Sequence, residues 1–416
     1  METISLKSGI KLHILPDGKF KNFRVGVYMS TPLTKETAAK NALVARVMRS
    51  STKSFPDKRS INRRLEELYG AALITGAEKR GECHAVKVCI DALADRYIEN
   101  ESILHSVFDL LCEALLYPVF DCVDREKQAL IDEIRAAVND KRSYALKRCI
   151  EEMCADEPFG ISSHGAEEDV QKLDRDIACE YHAQLIKTAP IDIFVIGAFD
   201  RAAVETECRR LADALEEREE VYAPTCQMAA PEQVRYVNDK ENVTQGKLVI
   251  GYRAQINDNN VYPLTVYNAV FGGGTSSKLF NNVREKLSLC YYASSVLYRK
   301  KGLIMVQAGI DFDKYQKTLD EIMVQSEDIK AGNIEPDEFE GAVLGIVNGL
   351  RSCKDDLGQL MGYYSTQIGE DITDIDEKIE KILSVKMEQI IDVARQISMD
   401  TIYFLSGNGT ESDNEG

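Results

Sequence analysis

The feature that most constrains this chain is that its second half repeats the order of its first. Lys247-Leu248-Val249-Ile250-Gly251-Tyr252 echoes Phe23–Tyr28, and each run leads through a polar turn into a helical pattern. The segment from Arg80-Gly81 to Asp91 is matched by Lys301-Gly302 to Asp311, displaced by 221 positions at its start and 220 at its end. Each half then closes on a helix and an apolar strand, Ile193-Phe194-Val195-Ile196-Gly197 in one and Ile402–Gly407 in the other. One such coincidence means little. Four in the same order mean an internal duplication, so the chain must build one kind of folding unit twice.

Within each half the elements are mixed. The first 32 residues alternate apolar and polar around Pro16-Asp17-Gly18, the pattern of paired strands. A helix is expected from about Glu36 to Arg49, opened by Thr34, and a second over Ser60–Leu68. Two strands flank the Glu78–Gly81 turn, helices follow near 101–116 and 122–155, and a strand spans Ile191–Gly197. Strands and helices without regular βαβ alternation predict the α+β class. The expectation is two tandem domains, each an antiparallel sheet covered by helices. Residues 1–215 form the first and 233–407 the second. The run Glu216-Glu217-Arg218-Glu219-Glu220 and two prolines mark 216–232 as linker, and the polar tail 408–416 is expected to be disordered.

Composition excludes several functions. A formal net charge of −17 and a pI near 4.9 argue against binding nucleic acid or an anionic membrane. The run Arg299-Lys300-Lys301 is expected to be a solvated turn. No stretch approaches 18 apolar residues, and Met1–Lys7 has no apolar core, which predicts a cytoplasmic protein without membrane insertion. Eleven cysteines with no Cys-x-x-Cys read as reduced thiols. The five histidines (His13, His84, His105, His164, His182) lie at least 18 positions apart, so no helix carries a histidine pair.

The most specific segment lies in the second half: Gly272-Gly273-Gly274-Thr275-Ser276-Ser277-Lys278-Leu279-Phe280, then Val283-Arg284-Glu285-Lys286, then Leu289-Cys290-Tyr291. It resembles the Gly-Gly-Gly-x-Ser-Ser-Arg-Leu-Phe…Val-Arg-Glu-Lys-x-x-Leu-Ala-Tyr pattern of the insulinase (pitrilysin) family of zinc peptidases. The half-length chain resembles the processing-peptidase-like branch, whose members pair around their substrate. That resemblance implies a zinc motif, His-x-x-Glu-His, on the first long helix, where i and i+4 imidazoles share one face. Aligned on Ser51-Thr52, the motif positions here are Ala42, Ala45 and Arg46, so both histidines and the general base are gone. In the run Glu126-Lys127-Gln128-Ala129-Leu130-Ile131-Asp132-Glu133, Glu133 takes the place of the family's third ligand. It is either a solvated helix residue or a partner for Arg46. The chain is therefore expected to hold no metal and no cofactor, with zinc only in a partner.

By the same resemblance, Arg284 and Tyr291 match an arginine and tyrosine that one subunit lends to the zinc site of another. Arg284 falls near a helix end and Tyr291 near a strand start, so a short turn can bring both to one rim. A guanidinium and a phenol can donate to the oxyanion of peptide hydrolysis. The competing reading pairs Arg284 with Glu285 or another surface acid and leaves Tyr291 as a half-buried strand residue. Gly272, Gly273 and Gly274 lack a P-loop lysine and are read as a tight turn into a helix capped by Ser276 or Thr275. In a mitochondrial relative a longer glycine loop at this place handles substrate. Two functions stay open. One is a subunit inactive alone that completes a homologous zinc-bearing partner acting on peptide or unfolded polypeptide. The other is a proteolytically inactive scaffold or peptide-binding protein of the same fold.

Overall fold

The computed structural model describes residues 1–407, and the tail 408–416 lies outside them. Among the described residues, eleven strands form two sheets. In the first, β1 (Glu2–Lys7), β2 (Ile10–Pro16), β3 (Asn22–Pro32), β4 (Ala72–Arg80), β5 (Cys83–Leu93) and β6 (Ile191–Gly197) run in the order β1-β2-β6-β3-β5-β4. In the second, β7 (Arg235–Glu241), β8 (Gly246–Arg253), β9 (Cys290–Tyr298), β10 (Leu303–Ile310) and β11 (Ser398–Gly407) run β7-β11-β8-β10-β9. Set the edge strand β1 aside and the two orders coincide, element for element. The α+β duplication is therefore real.

The sheets are mixed rather than purely antiparallel. β2 pairs with β6, and β7 with β11, in parallel, while every other pairing is antiparallel. In each half the parallel pair joins an early strand to the closing strand across a long helical connection, which is what parallel pairing requires. Every residue of β6 and of β10 is buried. These strands are covered on both faces, and so read as continuous apolar runs rather than alternating ones.

The helices that position the candidate sites come early. They are α1 (Lys35–Met48), α2 (Lys58–Glu67), α3 (Leu104–Leu116), α4 (Val123–Ala136) and α5 (Lys141–Met153). The Thr34 hydroxyl accepts from the Thr37 amide and opens α1, as expected. The helix expected over 122–155 is broken at 137–140, because Asp140 accepts from the Ser143 amide and starts α5 afresh.

That break marks an exchange. The chain divides into two compact units, but they are not 1–215 and 233–407. Within the described residues, the first comprises 1–135, 161–224 and 353–374, and the second 136–160, 225–352 and 375–407. Each half gives one segment to the other's sheet. In the first unit the helix Leu357–Ser365 packs on β3 and β6. Arg80 holds it by donating to the Ser365 carbonyl while stacking on the Tyr28 ring at 4.6 Å. In the second unit α5 packs on β8 and β11, with the Met153 thioether against Gly251, where any Cβ would lie 2.5 Å from the sulfur. Arg253 donates to the Met153 carbonyl (2.8 Å) and pairs with Glu157 and Asp400, both at 2.6 Å. Lys301, 2% exposed, reaches Glu157 at 2.7 Å. The basic run 299–301 is thus not a solvated turn throughout: its last ammonium is buried because a carboxylate of the exchanged segment receives it.

The expected linker is partly built into the first unit. Arg218 donates to the Ile186 and Ala189 carbonyls, and the Tyr222 hydroxyl donates to Asp192 (2.8 Å).

Candidate functional site

The apolar face of α1 packs on β4 and β5 and carries Ala42 and Ala45 into the interior, where they are 4% and 1% exposed. One turn beyond Ala42, Arg46 leaves that face toward α4. Its Nη1 donates to Glu133 at 2.6 Å and its Nε lies 3.8 Å from Glu126. Of the two readings of Glu133, the structure shows the pair with Arg46. Glu126 was legible only as the start of the Glu126–Glu133 run. It is the more buried of the two, at 1% exposed, and also receives Lys58 at 2.8 Å and Arg125 at 3.2 Å. Burial alone would raise the Glu126 carboxyl, but hydrogen bonds from Lys58 and Ser50 outweigh it and hold the group below the ordinary carboxylate range.

Two carboxylates thus face one guanidinium, one ammonium and a second, more exposed guanidinium. A divalent cation here would lose its imidazole ligands and meet three positive charges. His164 comes within 3.5 Å of Glu133, yet among the described residues no group of three metal-ligating side chains forms. His84 lies fully buried beside Asn41, whose amide approaches its Nδ1 at 3.1 Å. Burial first, then the positive neighbours His164 and Lys79, push its pKa down to about 4, so it stays neutral. Purified chain, dialysed and analysed for metal, should hold well under 0.1 zinc per molecule. About one tightly bound zinc would contradict the ion-pair reading.

Arg284 and Tyr291 belong to the second unit. Arg284 sits on a wide helix, Leu279–Lys286, which closes with Leu287 and Leu289 amides on the Asn282 and Val283 carbonyls. Ser288, at φ 48°, supplies the left-handed residue that turns the chain into β9. This turn brings both side chains to one open pocket of about 400 Å³, lined also by Glu285, Ser288, Leu289, Cys290 and Lys314. Arg284 stacks over the Phe280 ring at 4.7 Å, and its Nε is 3.5 Å from Glu285. The Tyr291 hydroxyl donates to Asp311 (2.9 Å), Asp311 pairs with Lys314 (3.0 Å), and Lys314 donates to the Ser288 carbonyl (3.3 Å). The hydrogen bond to Asp311, and that carboxylate's charge, raise the Tyr291 phenol above its usual value. Asp311 and Lys314 were not singled out in the sequence. Asp311 appeared there only as the end of the repeated strand segment.

The glycine turn owes its residues to crowding. A Cβ at Gly272 would lie 2.7 Å from the Ser295 amide nitrogen, and one at Gly273 would lie 2.8 Å from the Ala269 Cα, whereas Gly274 faces open space. The cap is neither Ser276 nor Thr275. Ser277 sits one residue nearer the helix, its hydroxyl accepting from the Phe280 amide (3.4 Å) and donating to the Gly274 carbonyl. All eleven cysteines are free thiols, and no described helix is long and apolar enough to cross a membrane.

A duplicated α+β fold with Ala42, Ala45 and an Arg46–Glu133 ion pair where the resemblance expects a zinc motif defines a peptidase-like chain. Residues 172–345 match the family model described as Peptidase M16 inactive domain. The chain is 31% identical, over 98% of both sequences, to a probable inactive metalloprotease, YmfF, of Bacillus subtilis. Among solved structures it superposes on a conserved protein from Enterococcus faecalis with a TM-score of 0.90, at 28% identity over 99% of both chains. A peptidase M16 inactive domain protein from Pseudomonas fluorescens superposes with a TM-score of 0.80 over 99% of both chains, and at 16% identity it speaks to the fold alone. The chain belongs to the insulinase-type (M16) peptidase family, as an inactive member.

Proposed function

We propose that this chain is the non-catalytic subunit of a two-chain zinc peptidase, lending Arg284 and Tyr291 to the transition state at a partner's zinc. The observation that carries the reading is the shared pocket. A family member with Ala42, Ala45 and an Arg46–Glu133 ion pair at the positions the resemblance expects for zinc presents an arginine and a tyrosine together on one open rim. Aimed at a scissile carbonyl polarised by the partner's zinc, the guanidinium and the phenol would stabilise the developing oxyanion. The partner would be a homologous chain carrying His-x-x-Glu-His, the substrate a peptide or unfolded polypeptide, and the compartment the cytoplasm, where the thiols stay reduced.

One observation favours the alternative, a proteolytically inactive peptide-binding or scaffold protein. A phenol has a single proton, and Tyr291 donates it to Asp311 at rest. To serve an oxyanion, Tyr291 must turn away from that carboxylate. Co-expression with the zinc-bearing family member of the same genome, followed by assay of peptide hydrolysis, separates the two. The catalytic reading expects cleavage by the pair but not by either chain alone, and a fall of about 100-fold on Tyr291→Phe with assembly intact. Full-rate cleavage by the partner alone would leave only the scaffold.

A further inference from the structure

We infer that the pocket between Arg284 and Lys314 recognises a peptide carboxylate. The inference rests on the reading of Arg284 as a substrate-facing residue and names what it binds in the chain alone, with no partner zinc presenting a scissile carbonyl. The Arg284 guanidinium carbon lies over the Phe280 ring, 4.7 Å from its centroid, a cation–π contact that restrains it. Among the described residues its only contact to an acid is the long one from Nε to Glu285, at 3.5 Å, and its terminal amino groups make no hydrogen bond. A restrained guanidinium with both terminal nitrogens uncommitted is a two-pronged donor whose spacing fits a carboxylate. Lys314 lines the same pocket and spends two of its three donors on Asp311 and the Ser288 carbonyl, leaving a third. At about 400 Å³ the pocket has room for the end of a peptide or one acidic side chain.

Long-range attraction does not explain such a preference. The chain carries a net charge of −17, and beyond the screening length of about 8 Å at physiological salt the field of either pocket cation is largely lost. Recognition must therefore come from direct contact with the two cations. An arriving carboxylate would replace the loose Glu285 contact with a bidentate one. A C-terminal carboxylate and an Asp or Glu side chain share this chemistry.

The test uses the isolated full-length chain, with neither partner nor zinc, and three fluorescent hexapeptides read by polarisation. One has neutral side chains and a free C-terminus, the second is its C-terminal amide, and the third is the amide with a glutamate next to last. The free acid should bind at least 10-fold tighter than the plain amide, and Arg284→Ala should erase the difference. Arg284→Lys, which keeps the charge without the fork, should retain only part of it. If the glutamyl amide binds like the free acid, any carboxylate suffices; if it binds like the plain amide, the pocket reads the chain terminus. Equal binding of acid and plain amide, or a preference that survives Arg284→Ala in a variant melting at the wild-type temperature, overturns the inference. Because no hydrolysis is measured, that failure would leave the proposal of catalysis in trans standing.

Discussion

Expressed separately, residues 1–224 and 225–416 should each fail to fold cooperatively, and expressed together they should recover the native melt. Each fragment lacks the segment that covers one face of its sheet. The first sheet loses the helix Leu357–Ser365, with Leu360, Met361 and Tyr364 at 2–4% exposure. At about 2 kcal/mol per buried side chain of this size, the loss is on the order of 6 kcal/mol. A domain's whole net stability is about 5–15 kcal/mol. The second sheet loses α5, with Cys149, Ile150 and Met153, together with the Glu157 carboxylate that neutralises Arg253 and Lys301. Near-UV circular dichroism on heating distinguishes the outcomes. A sharp transition in either fragment alone would show that the exchanged helices decorate the sheets rather than complete them.

Arg253→Met should lower the unfolding free energy by about 3–5 kcal/mol at neutral pH. Arg253 is 4% exposed and binds Glu157, Asp400 and the Met153 carbonyl at once. Its removal strands a buried Asp400 whose other basic neighbour, Arg235, is 4.0 Å away. Burial raises the Glu157 carboxyl, but hydrogen bonds from Arg253 and then Lys301 outweigh it, so the folded pKa lies below the ordinary value of 4.5. A depressed carboxylate contributes stability that is fully present above the unfolded pKa and is lost as pH falls through the folded one. The wild type should therefore weaken below about pH 4.5, and the variant, having less to lose, should show a shallower acid limb. Urea titrations at pH 7 and pH 4 provide the check. A loss under 1 kcal/mol at neutral pH, or an unchanged acid limb, would mean the cluster is solvated in solution.

Much of the fold was legible because duplication leaves a mark that needs no structure. Phe23–Tyr28 and Lys247–Tyr252 do lie on matching strands, β3 and β8, and the Thr34 cap followed from local chemistry. The exchange of 136–160 and 353–374 was hidden because an amphipathic helix reads the same whichever sheet it covers. Lys301 misled for a related reason: a basic run looks solvated until its distant acid, Glu157, is placed beside it. At the candidate sites, the family resemblance directed attention to Ala42, Ala45, Arg46 and Glu133 and to Arg284 and Tyr291; the structure joins Arg46 to Glu133 and brings Arg284 and Tyr291 to one pocket. Glu126, Lys58, Asp311 and Lys314 could not, since their roles depend on neighbours up to 80 positions away along the chain.

The most direct measurement is the steady-state turnover of the zinc-bearing partner assembled with wild-type chain or with Arg284→Ala. Arg284 is half-exposed and, among the described residues, its only ion pair is with the adjacent Glu285, so the substitution should leave assembly unchanged. The expected result is a fall in kcat of about 100-fold with KM nearly constant, the signature of a contact made in the transition state. A rise in KM alone would reduce Arg284 to substrate binding. Unchanged kcat and KM, in a complex shown to be intact, would contradict donation in trans.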